Sequence, residues 1–118
     1  MRNFRELEIW QRSFELVDEV YTQSENFPKD ERFGLTSQMR RASVSIPSNI
    51  AEGCSRRTKK DFARFLEIAI GSAFELETQL LIAVKRTMID KVKGQAMIDE
   101  LNQIQKMINA FRISLGRC

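Results

Sequence analysis

Apolar residues recur every three or four positions along almost the whole chain. At 3.6 residues per turn, that spacing stacks side chains on one face of an α-helix. Leu7, Trp10, Phe14, Val17 and Tyr21 form the first stripe. Phe27-Pro28 ends it, because proline donates no backbone hydrogen bond and disfavours helix in the residue before it. A second helix begins between Lys29 and Thr36, where Asp30 and Glu31 suit the positive end of a helix dipole, and continues through Leu35, Met39, Ala42, Ile46 and Ile50 to a Gly53 cap. Pro47 falls inside it, which predicts a kink or a short break between Val44 and Ser48. Thr58 and Asp61 resemble a shortened capping box for the longest helix, which runs through Phe62, Phe65, Leu66, Ala69, Ala73, Leu76, Leu80 and Ala83. Met88 to Gly94 reads as a connection, and Met97, Leu101, Ile104, Ile108, Phe111 and Leu115 form the last stripe, closed by Gly116.

No segment shows the period of two that marks a half-buried strand. The predicted fold is therefore all-α: an antiparallel up-down-up-down four-helix bundle forming one domain over residues 1–118, its second helix kinked near Pro47. Trp10, Tyr21, Phe62 and Phe65 lie on these stripes and are expected in the core, not as platforms for stacking bases.

Several kinds of chemistry are excluded by what the chain lacks. It contains no histidine and two cysteines, Cys54 and Cys118. No Ser/His or Cys/His nucleophile, no zinc pattern and no Glu-x-x-His di-iron motif can be written from it. Isolated glycines such as Gly53 and Gly71 make no phosphate-cradling loop. The sequence implies no enzyme, no metal and no cofactor. Its longest apolar run, Leu80 to Val84, is far short of the roughly 20 residues that cross a bilayer, and Met1 to Trp10 lacks the features of a secretion signal. A cytoplasmic protein with reduced thiols is expected.

Three constellations remain. Gln38, Arg41, Ser45, Asn49 and Glu52 line one flank of helix 2 around the proline. They read either as a polar network that fixes helix packing, the commoner fate of half-buried polar groups, or as a ligand site. Charge is distributed unevenly: residues 1–31 carry 4 basic and 8 acidic groups (net −4), residues 32–64 carry 8 and 2 (net +6), and residues 65–118 carry 7 and 6 (net +1). Arg40, Arg41, Arg56, Arg57, Lys59, Lys60 and Arg64 are expected to gather at one end of the bundle. There they form either a solvated loop or a phosphate-binding surface for RNA or DNA. Third, Ile9, Leu16 and Val20 on helix 1 and Ile70, Phe74 and Leu81 on helix 3 make second apolar stripes beyond what one bundle must bury. Exposed apolar patches usually mark partner surfaces, and self-assembly is the simplest partner.

Beyond these readings, the blocks Trp10-Gln11, Val20-Tyr21, Phe27-Pro28, Glu31-Arg32-Phe33-Gly34-Leu35, Gln38, Arg40-Arg41-Ala42 and Ser45 through Gly53 carry a resemblance, continued by Arg56, Phe65-Leu66, Ala69 and Gly71-Ser72. Nearly the whole chain resembles the four-helix bundle proteins encoded in intervening sequences of bacterial 23S ribosomal RNA genes. That family is similar to the accessory variability protein of diversity-generating retroelements, a pentameric barrel that works with a reverse transcriptase and nucleic acid. The resemblance implies a homopentamer, with a reverse transcriptase or another protein among the partners, and defines no activity. The leading expectation is thus a non-catalytic, oligomeric nucleic-acid-binding adaptor. The alternative is a protein-protein scaffold ring with no direct nucleic-acid role.

Overall fold

The computed structural model describes residues 2–116. Four long helices account for most of it: α1 (Glu8–Ser24), α2 (Leu35–Cys54), α3 (Lys59–Lys85) and α4 (Lys91–Leu115), with single 3-10 turns at Phe4–Glu6 and Lys29–Glu31 and no strand among the described residues. Residues that meet across neighbouring helices run in opposite chain order. Ser45 of α2 meets Ser72 of α3 while Gly53 lies against Phe62, and Glu77 of α3 meets Asn102 of α4 while Phe62 lies against Phe111. Ser24 of α1 likewise meets Arg40 of α2, and Arg2 approaches Cys54. Consecutive helices are therefore antiparallel, and the described residues form an all-α four-helix bundle. None of the helices among them is long and apolar enough to cross a membrane.

Capping chemistry sets the helix starts. The Thr58 hydroxyl accepts the Asp61 amide at 3.1 Å and opens α3, as expected. Asp90 does the same for α4, its Oδ2 accepting the Val92 and Lys93 amides, each at 3.1 Å. Helix 4 accordingly begins at Lys91, inside the stretch read as a connection, and Gly94 is a buried helical residue. The turn before it is tight: the Met88 amide reaches back to the Ala83 carbonyl (2.9 Å), and Thr87 adopts a left-handed φ of 57°, a place usually taken by glycine.

Helix α2 continues through Pro47 without the short break, an outcome compatible with a kink there, although the proline ring removes the donor that would meet the Ser43 carbonyl. Nor is Gly53 its cap, since the helix runs on to Cys54 and Ser55 caps it. The glycine serves close approach instead, because a Cβ there would lie 2.7 Å from Phe62 Cδ1 and 3.1 Å from Phe65 Cβ.

Helices α2, α3 and α4 bury the stripes read from the sequence: Met39, Ala42, Ile46 and Ile50; Leu66, Ala69, Ala73, Leu76 and Leu80; Met97, Leu101, Ile104 and Ile108. Helix α1 reverses the expectation. Ile9, Leu16 and Val20 are core residues, while Phe14 is 53% and Tyr21 39% exposed, with Trp10 and Val17 half-buried. The buried line includes Ser13 and Ser24, whose hydroxyls are satisfied by the Trp10 and Tyr21 carbonyls one turn back (3.0 and 3.3 Å). Serine in that line makes the inner stripe look the less apolar of the two, yet its small side chain lets α1 pack closely. The helix 1 half of the expected assembly surface is thus interior, and the outward apolar stripe is Trp10, Phe14, Val17 and Tyr21.

Gly53→Ala should lower stability by about 1–3 kcal/mol, the usual cost of overpacking. Gly71→Ala, where an added Cβ meets nothing within 4 Å, should raise it by about 0.5–1 kcal/mol through helix propensity. Chemical denaturation of both variants measures the contrast, and a neutral Gly53→Ala would show the α2–α3 joint to be loose.

Candidate nucleic-acid interface

Because consecutive helices are antiparallel, one end of the bundle combines the α2–α3 turn, the C-terminal turn of α4 and the residues leading into α1. Arg56, Arg57, Lys59, Lys60 and Arg64 are exposed there. Arg112 from α4 joins them, lining with Lys59 and Lys60 a shallow cleft of about 440 Å³. Arg2 reaches the same end, its guanidinium carbon 5.2 Å from the Phe111 ring centre. The sequence alone does not single out Arg2 and Arg112, because only the fold brings them to this turn. Their signal is indirect: an antiparallel bundle must bring the end of α4 beside the start of α3.

Some of these cations are held. Arg56 lies 4.6 Å from the centre of the Phe65 ring and 3.7 Å from a Glu52 carboxylate oxygen, and Arg112 is 3.6 Å from Glu67 and donates to Asn109 (2.9 Å). Exposed pairs of this kind are weak, at about 0–1 kcal/mol. They position guanidinium groups without removing them from solvent. Cys54 lies beneath this end with its thiol pushed up from its ordinary pKa, chiefly by burial and partly offset by nearby Arg2. It is consequently a protonated packing residue. Cys118 lies outside the described residues.

Arg40 and Arg41 do not join this cluster. They sit in the second turn of α2, about 20 Å along the helix from its C-terminal end at 1.5 Å per residue. The expected single patch is two patches, since a helix as long as α2 carries its ends to opposite ends of the bundle. Arg40 is packed, stacking 4.6 Å from the Tyr21 ring centre and donating from Nε to Ser24 Oγ (2.9 Å), whereas Arg41 is exposed.

Around Pro47 a smaller polar cluster forms than the sequence suggested. Asn49 Nδ2 donates to the Ser45 carbonyl (2.8 Å) and hydroxyl (3.0 Å), and the Ser45 and Ser72 hydroxyls share a hydrogen bond of 2.8 Å. The three residues tie α2 to α3. Glu52 is exposed and turns to Arg56, and Gln38 and Arg41 are exposed away from the cluster. Elsewhere, Arg12 of α1 grips Glu100 of α4 with a guanidinium fork, Nε to Oε2 at 2.9 Å and Nη2 to Oε1. The hydrogen bond and charge of Glu100 hold the Arg12 pKa above its already high range, against a smaller opposing effect of burial. Ile70 on α3 is half-buried, while Phe74 is 59% and Leu81 52% exposed, so the helix 3 stripe faces outward. No three His, Cys, Asp or Glu side chains among the described residues are grouped so as to hold a metal ion.

Fold and surface together define a small helical bundle with a cationic end. Residues 5–110 match the model of the family described as 23S rRNA-intervening sequence protein, and the chain belongs to that family. It is similar to the crystal structure of a protein with unknown function from the S23 ribosomal protein family of Bacteroides thetaiotaomicron. The two share 22% sequence identity at a TM-score of 0.79, with 88% of this chain and 97% of the other covered. At that identity the likeness is one of fold. No curated protein matches the chain.

Asn49→Ala should lower stability by about 1 kcal/mol, since it strips hydrogen bonds from a half-buried site. Glu52→Ala should change it by no more than a few tenths of a kcal/mol, because its ion pair is exposed. Thermal or chemical unfolding separates the two. Equal effects would mean that the ion pair, and not the serine-asparagine cluster, fixes this part of α2.

Proposed function

We propose that the chain is a non-catalytic nucleic-acid-binding adaptor that acts as an oligomer, with phosphates held at the cationic end by Arg56, Arg57, Lys59, Lys60 and Arg64 and supported by Arg2 and Arg112. The observation that carries this reading is the meeting of three separate chain segments, each contributing cations, at one end of the bundle. Each cation that neutralises a phosphate releases counterions, so a modest cluster gives sequence-tolerant affinity. The family's description, which names 23S rRNA, favours RNA as the partner. Repetition of the patch around an oligomer would multiply it through avidity without any new contact type.

Support for the oligomer comes from the exposed apolar stripes. Trp10, Phe14 and Val17 of α1 border a groove of about 310 Å³ with Val44, Pro47 and Ala51 of α2, and Phe74 and Leu81 stand out from α3. Two different faces suit a head-to-tail contact, which closes into a ring when the rotation permits. The pentamer implied by the family resemblance is one such ring. The same stripes favour the second reading, a scaffold that recruits another protein and for which the cationic end is incidental.

Light scattering at micromolar concentration should give several times the chain mass, and Phe14→Glu or Phe74→Glu should each reduce it. A carboxylate buried in an apolar contact costs several kcal/mol. A monomeric unmodified protein would end the oligomer part of the proposal.

Binding of labelled single-stranded and duplex RNA and DNA should be nearly independent of sequence and should fall linearly with salt on a log-log plot. Changing Arg57, Lys59, Lys60 and Arg64 together to glutamine should reduce that slope by up to about 0.7–0.9 for each phosphate that is no longer neutralised. Helicity should survive, because these side chains are exposed. Arg56 is left in place because it packs on Phe65. Binding by the quadruple variant that matches the unmodified protein would remove this end from the mechanism and promote the scaffold.

A further inference from the structure

At the opposite end of α2, Tyr21 of α1 together with Arg32, Phe33, Thr36, Arg40 and Arg41 lines a separate open cleft of about 470 Å³. Three guanidinium groups border it and no acidic residue lines it. Two of the three lie over rings: Arg40 over Tyr21 at 4.6 Å, and Arg32 over Phe33 at 5.4 Å from the ring centre. Phe33 is 89% exposed, the most exposed large apolar side chain among the described residues, so this ring is not placed by the bundle's own packing. Thr36, in contrast, is 7% exposed, and its hydroxyl has no hydrogen-bond partner among the described residues, although buried hydroxyls are nearly always bonded. The nearby helix end is already served, because Glu31 Oε1 accepts the Leu35 amide at 3.1 Å. An incoming anion is thus left to the arginines.

These features ask for a ligand that is both anionic and flat. Arginine forks hold phosphate oxygens in pairs, and an exposed ring flanked by a guanidinium offers a face on which a base can stack. A bare anion would leave Phe33 unused, and an aromatic side chain of a protein would need none of the three cations. We propose that this cleft binds one unpaired nucleotide, its phosphate held by the arginines and its base stacked on Phe33. The ligand is either a free nucleotide or the terminal residue of a single strand. The site stands on the cleft itself and does not require the cationic end to act.

The test uses the full chain with adenosine monophosphate as the probe, followed by amide NMR, with adenosine, inorganic phosphate and a glutamate-rich peptide as controls. The expected result is a set of shifts centred on Thr36, Ser37 and Arg41, with the nucleotide bound more tightly than any control. Phe33→Ala, a surface change, should weaken the nucleotide by about tenfold and leave inorganic phosphate unaffected. Arg41→Gln should weaken both. The quadruple glutamine variant of the cationic end should keep these shifts, so that failure there and failure here are separate results. A single-stranded oligonucleotide that displaces the nucleotide identifies the source as a strand, and nucleotide binding that the oligonucleotide does not displace identifies a free nucleotide. Absence of shifts at the cleft, equal affinity for the acidic peptide, or unchanged binding by Phe33→Ala would overturn the proposal.

Discussion

The close contact between α2 and α3 is the constraint around which the rest of the bundle is arranged. It depends on residues with little or no side chain: Gly53 admits Phe62 and Phe65 at the turn, Ala69 and Ala73 are fully buried along α3, and the Ser45 and Ser72 hydroxyls meet directly between the helices. Close packing has little tolerance for added volume, so these positions set the spacing to which the larger side chains of α4 and α1 adjust. The same contact explains how a proline persists inside α2. Its missing hydrogen bond is local, whereas the burial of Ile46, Pro47 and Ile50 extends over more than one turn of the helix.

This geometry also determines where charge can gather. Short links on either side of α3 force antiparallel neighbours, so cations distant in sequence, such as Arg2, Lys59 and Arg112, are brought to one end. Arg41 and Arg56, much nearer in sequence, are held apart by the length of α2. The two arginine-bearing surfaces consequently differ in character. One is an open, highly solvated cluster whose field is screened within about 8–10 Å at physiological salt. The other is a cleft in which guanidinium groups and rings are already stacked before any ligand arrives.

Much of the fold is legible in the sequence, because period and capping are local. The stripes of α2, α3 and α4 and the Thr58 cap need only neighbouring residues to be recognised. The features that mislead depend on partners. The two apolar stripes of α1 lie side by side, and choosing the inner one requires knowing that Ser13 and Ser24 satisfy themselves on their own helix and can be buried. Gly53 resembles a helix terminator because its actual role, making room for Phe62, belongs to another helix. Asp90 does not stand out as a cap because Gly94, four residues later, resembles the end of a loop. Of the candidate site, the residues of the α2–α3 turn are legible as a run of charge, while Arg2 and Arg112 become visible only once topology is known. The Arg32-Phe33 pair belongs to a block that carries the family resemblance, but its exposure is not legible in the sequence, since nothing local shows that a phenylalanine will lie outside the core.

Helix α1 is attached differently from the other three. Its inner line alternates Ile9, Leu16 and Val20 with serines, its largest rings face solvent, and its tie to α4 centres on the Arg12–Glu100 fork across the most sparsely packed pair of neighbouring long helices. Helix α1 is therefore bound less extensively than α2 or α3. In native-state hydrogen exchange α1 is expected to open ahead of the α2–α3 hairpin. The helix with the sparser attachment is thus also the one that presents the outward aromatic stripe.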